Sequence, residues 1–397
     1  MTQHDSTPAR EHGLFTRDFA FIAVVNFALF TGFQMANVGI PVYIAQMGGS
    51  ELQVGLSTTL FTAAALLSRP FVGLLVDRFG RKGFLVGGIA LMVCSTAAYA
   101  VFPVVGVVLG LRMLHGLGWG FGSTASSTTA ADIIPKKRFA EGMGYFGMTV
   151  SLAGAFAPAL AVSLVQGPGA KVMVAAATFA LVVALALAVF LRPTMQRQTE
   201  AKPMRELGIS DFLERKALFP AGIMFLVNMG FGSINTFIVL HGEASGVSNL
   251  SLYFVTFALV NIVTRPYMGR LIDRFGYMVP GVAATVCMAA SLVMLGSANS
   301  LATFCLSGAF VGLGGGTAMS TFQAMSVAAA PPERRGVATS TYMFLFDAGM
   351  GVGGTVAGLL AGALGYAGMY RALAVFPLLG CLAFALMGKK RLEQYRR

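Results

Sequence analysis

The sequence predicts an all-α membrane protein with twelve transmembrane helices in two pseudo-symmetric six-helix bundles. Three observations carry that prediction. The first is composition: of 397 residues, 56% are hydrophobic and only 11% charged, against roughly 25% charged in soluble domains. The second is that the apolar residues fall into runs of ~20 or more, the length that crosses a ~30 Å hydrocarbon core at about 1.5 Å per residue. The third is an internal repeat. Arg69–Gly80 and 265–276 are identical at eight of twelve positions, an offset of 196. In that register Gly116, Leu117, Gly118 and Gly120 fall on Gly312, Leu313, Gly314 and Gly316, and Pro135 and Arg138 fall on Pro331 and Arg334. A chain that repeats once, with charged turns at matching places between apolar runs, is built as transport proteins commonly are, with a binding site between the halves.

Taken in order, the spans are 19–45, 52–76, 83–102, 104–131, 141–165 and 170–191, then 218–240, 250–271, 277–297, 300–327, 336–362 and 367–388. Residues 1–18 are polar and mixed in charge, and the run from Phe19 to Ile44 is too long for a signal-peptide core, so it is the first span. Gly, Ser and Thr break the ends of the fourth and tenth spans, as in helices that line a cavity or pack closely. Arg192–Ala217 is polar and charged. The chain therefore divides into an N-terminal bundle (1–192), a linker (193–217) and a C-terminal bundle (218–397). Ile209–Lys216 reads either as a short surface helix or as solvated linker.

Charge decides orientation. With both termini cytoplasmic, the inner segments hold Arg10 and Arg17, Arg78 with Arg81 and Lys82, Lys136 to Arg138, the linker's basic residues, Arg270 and Arg274, Arg334 and Arg335, and the C-terminal tail. The outer loops then hold only Lys171 and Arg371, the asymmetry of the positive-inside rule. The net charge of +12 is thus an orientation signal dispersed between spans, and no nucleic-acid surface is expected. Cys94, Cys287, Cys305 and Cys381 all lie in apolar runs and act as small hydrophobes. No metal cluster, Ser-His-Asp set or phosphate loop stands out, so neither a cofactor nor an enzyme activity is expected.

Gly73-x-Leu75-x-Asp77-Arg78-x-Gly80-Arg81-Lys82, with its partial copy ending in Asp273-Arg274-Phe275-Gly276, resembles the loop signature of the major facilitator superfamily. Arg112-x-x-His115-Gly116-x-Gly118-x-Gly120 resembles that family's helix-four signature, with His115 where Gln is usual. The resemblance covers nearly the whole chain. It implies a monomeric secondary transporter of the inner membrane that moves a small molecule by alternating access. Proton-coupled efflux is the first reading; a symporter or uniporter for a small metabolite, such as an anion, is the second; a transporter-like sensor is the third. One departure stands against the first reading: Gly154-Ala155-Phe156-Ala157-Pro158 keeps the helix-five Pro of the proton antiporters and lacks their adjacent Gly.

Gly73, Asp77, Arg78, Gly80, Arg81, Asp273 and Arg274 form a candidate conformational latch, Asp77 bridging to a basic group or a helix N-terminus in one state and releasing it in the other. The plainer alternative is a topogenic basic loop. Arg112 lies nine positions past Pro103, ~13 Å into its span. A guanidinium there keeps its proton and needs a partner or water. His115 follows one turn on, on the same face. Asp347 stands twelve residues past Arg335, ~18 Å deep. Its flank Phe346-Asp347-Ala348-Gly349-Met350-Gly351 resembles a helix-eleven pattern of efflux-type members. Asp347, Arg112 and His115 are therefore the proton-coupling candidates, Arg112 holding Asp347 ionised when the two approach. A purely structural ion pair or core His is the alternative. Helices one, four, seven and ten line the cavity in the family, which makes Gln34, Asn37, Trp119, Asn228 and Asn235 substrate-cavity candidates. Interhelical hydrogen bonding is the alternative for each Asn and Gln.

Overall fold

The computed structural model describes residues 15–135, 138–191, 213–331 and 334–386. Among them the N-terminal half contributes α1 (Arg17–Gln46), α2 (Glu51–Phe79), α3 (Arg81–Val101), α4 (Val105–Ile133), α5 (Phe139–Gln166) and α6 (Ala170–Phe190). The C-terminal half contributes α7 (Leu218–Ala244), α8 (Ser251–Phe275), α9 (Met278–Leu295), α10 (Leu301–Ala328), α11 (Arg335–Leu373) and α12 (Val375–Leu386). The predicted spans are all present.

The turn chemistry repeats with the sequence. Gly80, between α2 and α3, has φ +91, and its counterpart Gly276, between α8 and α9, has φ +66. Gly169 and Gly365, also 196 apart, have φ +108 and +69. A side chain is disfavoured in that left-handed region, so glycine marks the turn in each copy. Gly169 separates α5 from α6. Gly365 therefore separates the eleventh span from the twelfth, and the 39-residue α11 is two helices joined across a non-helical glycine. That break falls between the predicted spans 336–362 and 367–388. Eight helices pass as membrane-crossing on length and composition alone, Val337–Leu386 counting as one. Helices α2, α4 and α8 fall outside that count, which is of the described residues; α2 and α8 both end in the charged repeat. Their membrane placement follows from packing within each bundle.

Each bundle is drawn tight by its fourth helix. A Cβ on Gly116 would strike the Phe61 carbonyl of α2, and one on Gly312 would strike the Phe257 carbonyl of α8, again positions 196 apart. Small residues at these crossings let helix backbones approach, which in lipid is a principal source of association. Local caps fit the sequence: Thr16 accepts from the Phe19 N–H at 3.2 Å to start α1, and Ser300 with Thr303 forms a capping box on α10.

The two halves meet along α2 and α11, α5 and α8, and α1 and α7. The α2–α11 seam runs antiparallel with one contact per helical turn. Gly358 sits over Glu51 and Leu52, Gly354 over Gly55 and Thr58, and Gly351 over Thr62. Thr59 donates to the Gly351 carbonyl at 2.6 Å, and Thr58 and Thr236 are hydrogen-bonded at 2.9 Å. These contacts occupy the end of the molecule that carries Ser50. One buried apolar cluster accordingly joins Met35–Ile44 of α1 to α7, α10 and α11, while Phe19–Phe33 of α1 belongs to a separate N-terminal cluster. At the opposite end, which carries Gly80, a cavity of about 1080 Å³ opens between the halves. Its walls include Val24 and Phe27 of α1, Tyr145, Met148 and Leu152 of α5, and Ile262 of α8. Among the described residues the halves are closed together at the Ser50 end, and the cavity lies toward the Gly80 end.

Most of the linker lies outside the described residues, including Ile209–Asp211; its last residues form a single 3-10 turn, Arg215–Ala217. That end is pinned to the C-terminal half. Arg334 Nε donates to Glu214 Oε2 at 2.6 Å, Arg334 Nη2 to the Leu213 carbonyl at 3.4 Å, and the Glu214 N–H to Thr341 Oγ1 at 2.9 Å. The Arg334 hydrogen bond holds the Glu214 carboxyl below the usual carboxylate range, against burial, which acts the other way. A depressed folded-state value contributes stability above the unfolded value of about 4.3 and loses it as pH falls through the folded one. Glu214→Gln should therefore lower Tm at pH 7 and flatten its fall on acidification below pH ~4.3. Thermal unfolding of the two proteins in detergent across that range checks it.

Candidate functional site

The candidate site is built where α2 and α11 carry charge into the membrane. Arg69 Nη2 lies 2.8 Å from Asp347 Oδ2, an ion pair that crosses from one half to the other. Arg69 lies ten residues before the end of α2 and Asp347 twelve past the start of α11, ~15 and ~18 Å deep at about 1.5 Å per residue. The side chains keep 31% and 13% of their exposure, while Arg69 Nε and Asp347 Oδ2 are themselves buried. Asn228 of α7 donates to the Phe346 carbonyl at 2.7 Å and so steadies the α11 backbone beside Asp347.

Arg112 is not Asp347's partner in this structure. It is 0% exposed, within the N-terminal bundle. Its Nε donates to the Ser57 carbonyl at 3.0 Å and its Nη2 to Asn37 Oδ1 at 3.3 Å. The Phe61 ring centroid stands 4.6 Å from the guanidinium carbon. Insertion scales set the cost of an Arg at a helix centre near 2.5–3.5 kcal/mol. A cation–π contact contributes ~2 kcal/mol when desolvated, and each hydrogen bond to a charged group about 1.5–3. These neutral partners hold Nε and Nη2, Nη1 is buried without a hydrogen-bond partner, and no carboxylate pairs with Arg112 among the described residues. His115 is also 0% exposed, its Nδ1 hydrogen-bonded to the Tyr99 hydroxyl at 3.2 Å. It faces protein rather than water. The predicted pairing of Arg112 with Asp347 is thus replaced by Arg69 with Asp347, because α2 and not α4 lies against α11.

The substrate-cavity candidates divide. Asn37 is occupied by Arg112 and Asn228 by the α11 backbone, the interhelical alternative in both cases. Gln34 is half-buried on α1 beside Gly154 of α5, and Asn235 is 8% exposed on α7. Trp119 stacks on Phe33 at 3.8 Å and meets Phe30 edge-on at 4.7 Å, so it reinforces an aromatic wall from behind. A second polar knot joins three helices: Asn26 donates to Thr149 at 2.8 Å and accepts from Ser126 at 2.9 Å.

Of the latch candidates, Gly73, Asp77, Arg78 and Asp273 carry side-chain positions outside the described residues. Arg81 pairs with Asp132 and donates to the Thr128 carbonyl at 2.9 Å, tying the start of α3 to the end of α4 within one half. Arg274 is exposed, its guanidinium 5.1 Å from the Phe275 ring centroid. Sequence reasoning gave Arg69 no role. The signal was there, as Arg69-Pro70 interrupts an apolar run and recurs as Arg265-Pro266.

Comparison with known proteins agrees with this architecture. The family model described as Major Facilitator Superfamily matches residues 22–294 and 221–395. An uncharacterized MFS-type transporter of Escherichia coli K12, YhhS, is 26% identical over 385 residues, 94% of this chain and 92% of its own length. A bacterial homolog of the human lysosomal transporter Spinster superposes with a TM-score of 0.78 at 15% identity, over 95% of this chain and 97% of its own. A POT family transporter bound to 5-aminolevulinic acid superposes with 0.79 at 15% identity, over 96% and 98%.

The Ser50-end seam closes because Gly55, Gly351, Gly354 and Gly358 bring no side chain to it. Gly55→Leu should wedge it apart, since even a Cβ there would strike the Gly354 carbonyl. Alkylation of Thr58→Cys, at a position now 1% exposed, should accelerate ~10-fold or more in the Gly55→Leu background, about 1.4 kcal/mol of population shift.

Proposed function

The chain belongs to the major facilitator superfamily, and from that premise we propose that it couples inward proton movement to export of a small molecule across the cytoplasmic membrane. It is a multi-pass membrane transporter and not an enzyme. The observation that carries the proton proposal is the Arg69–Asp347 pair, because it is a titratable charge shared between the two moving halves.

With the termini cytoplasmic, as the loop charges favour, the Ser50 end is outside and the cavity faces the cytoplasm. In this state Arg69 stands 2.8 Å from Asp347, charge against charge across the two halves. Rocking the halves about the site opens the α2–α11 seam to the outside and separates the pair. Without its cation and reached by water from outside, the acid takes up a proton from that side. Reclosure brings Arg69 back and discharges the proton inward. Arg112 is a buried structural charge in this cycle and His115 its neighbour. The reading in which Arg112 holds an anionic substrate is disfavoured by its complete burial. The protein acts as a monomer, since each chain carries both halves. Asp77, with Gly73 and Arg78, serves as the latch that closes the cytoplasmic side in the opposite state, and Asp273 is its counterpart.

Asp347→Asn should lower transport driven by a pH gradient more than ~10-fold in proteoliposomes, about 1.4 kcal/mol in the driven step, while substrate binding by thermal shift persists. Normal gradient-driven transport by that variant would remove Asp347 from coupling. Asp77→Asn should shift the population toward the cytoplasm-open state and slow turnover, with ligand affinity within a few-fold because the residue is remote from the cavity. Unchanged turnover would leave the loop a topogenic role alone.

A further inference from the structure

The seam between α2 and α11 has a pseudo-symmetric counterpart between α8 and α5, since the halves repeat at an offset of 196. In that register Arg69 corresponds to Arg265, and each stands ten residues before the end of its helix. Asp347 corresponds to Ser151, and each stands twelve residues past the start of its helix. One seam therefore holds a cation and its acid at matched depth. The other keeps the arginine position and carries a neutral hydroxyl where the acid would be. The sole acid of α5 is Glu141, ten residues nearer the helix start and so ~15 Å away along the axis. It is already balanced by Arg138 at 2.6 Å.

This second seam is where the cavity lies. Ser151, Met148 and Leu152 of α5 and Ile262 of α8 all line it. Position 265 falls one turn past Ile262, on the same face of α8. The Arg265 side chain itself lies outside the described residues, so helix geometry and the repeat place it. The glycine crossing of the first seam is not repeated here: Ser251, Ala155, Pro158 and Val162 stand where Gly55, Gly351, Gly354 and Gly358 do. The remaining wall is apolar or engaged, with Phe27 and Val24 from α1 and Thr149 accepting from Asn26 at 2.8 Å. At about 1080 Å³ the space takes a drug-sized molecule.

An arginine within a span keeps its proton and must find a counter-charge or water. The repeat gives Arg69 an acid and gives Arg265 none. We propose that a substrate supplies it: the cavity takes a small organic carboxylate whose charged end pairs with Arg265 beside Ser151. Its apolar body lies against Phe27, Met148, Leu152 and Ile262. The planar fork of a guanidinium suits a carboxylate, which it meets with two parallel hydrogen bonds. This names the substrate class and rests on the transport reading above only in taking the cavity as the substrate site.

The test is direct binding to the purified protein in detergent by titration calorimetry. The probes are naphthoate and naphthamide, of one shape and differing in charge. Naphthoate should bind ~10-fold or more tightly than naphthamide. Ser151→Asp rebuilds in the second seam the arrangement of Arg69 with Asp347, and should cost naphthoate ~10-fold or more while leaving naphthamide unchanged. Ser151→Asn, of the same size and uncharged, should leave both unchanged. Arg265→Gln should make the two probes equal, and Arg265→Lys should keep part of the preference. If neither arginine variant folds, the Ser151 pair decides alone. Naphthoate binding no tighter than naphthamide in the parent protein, or unaltered by Ser151→Asp, would overturn the proposal. Neither gradient nor orientation enters the measurement. A negative result here therefore leaves the coupling role of Asp347 untouched, and loss of that role leaves this result standing.

Discussion

The structure depends on one close antiparallel contact between α2 and α11. It is made of Gly55, Gly351, Gly354 and Gly358 on backbones that touch, with Thr59 donating to the Gly351 carbonyl across it and Thr58 bonded to Thr236 of α7 beside it. In lipid there is no hydrophobic gain in pressing two apolar helices together, so association rests on packing and on satisfied polar atoms. A seam of this kind is tight when closed and loses only short-range contacts when opened. That is what a reversible gate requires.

The seam also distributes charge. Near the Ser50 end it sets Glu51 against the Tyr366 hydroxyl at 2.7 Å, and toward the middle it brings Arg69 to Asp347. Both pairs span the two halves, so any rigid-body rocking changes the surroundings of both acids together. Arg112 differs in kind. Its partners Ser57, Asn37 and Phe61 all belong to its own half, and the motion leaves them in place. A charge whose neighbours do not change cannot report which way the protein faces.

Much of this was legible in the residues. The 196-residue offset predicted paired glycine turns, and Gly80 with Gly276 and Gly169 with Gly365 adopt the positive φ that only glycine takes readily. The depth of Asp347 followed from counting along a regular helix. Its partner did not, because counting gives position along an axis and says nothing of which axes adjoin. Depth alone points to Arg112, whereas adjacency belongs to Arg69, to which the sequence reading gives no role.

What the sequence by itself determined was span number, the duplication, the turns and the presence of charged groups within the spans, since each follows from local composition and helix geometry. What only the tertiary structure decided was pairing: Arg69 with Asp347, Glu51 with Tyr366, Glu214 with Arg334, and Asn37 turned to Arg112 rather than to the cavity. The reason is physical. A buried polar group must find a partner, and several lie at compatible depths. The choice among them is made by which helix faces come within a few ångströms, a property of the packed bundle and not of any single helix.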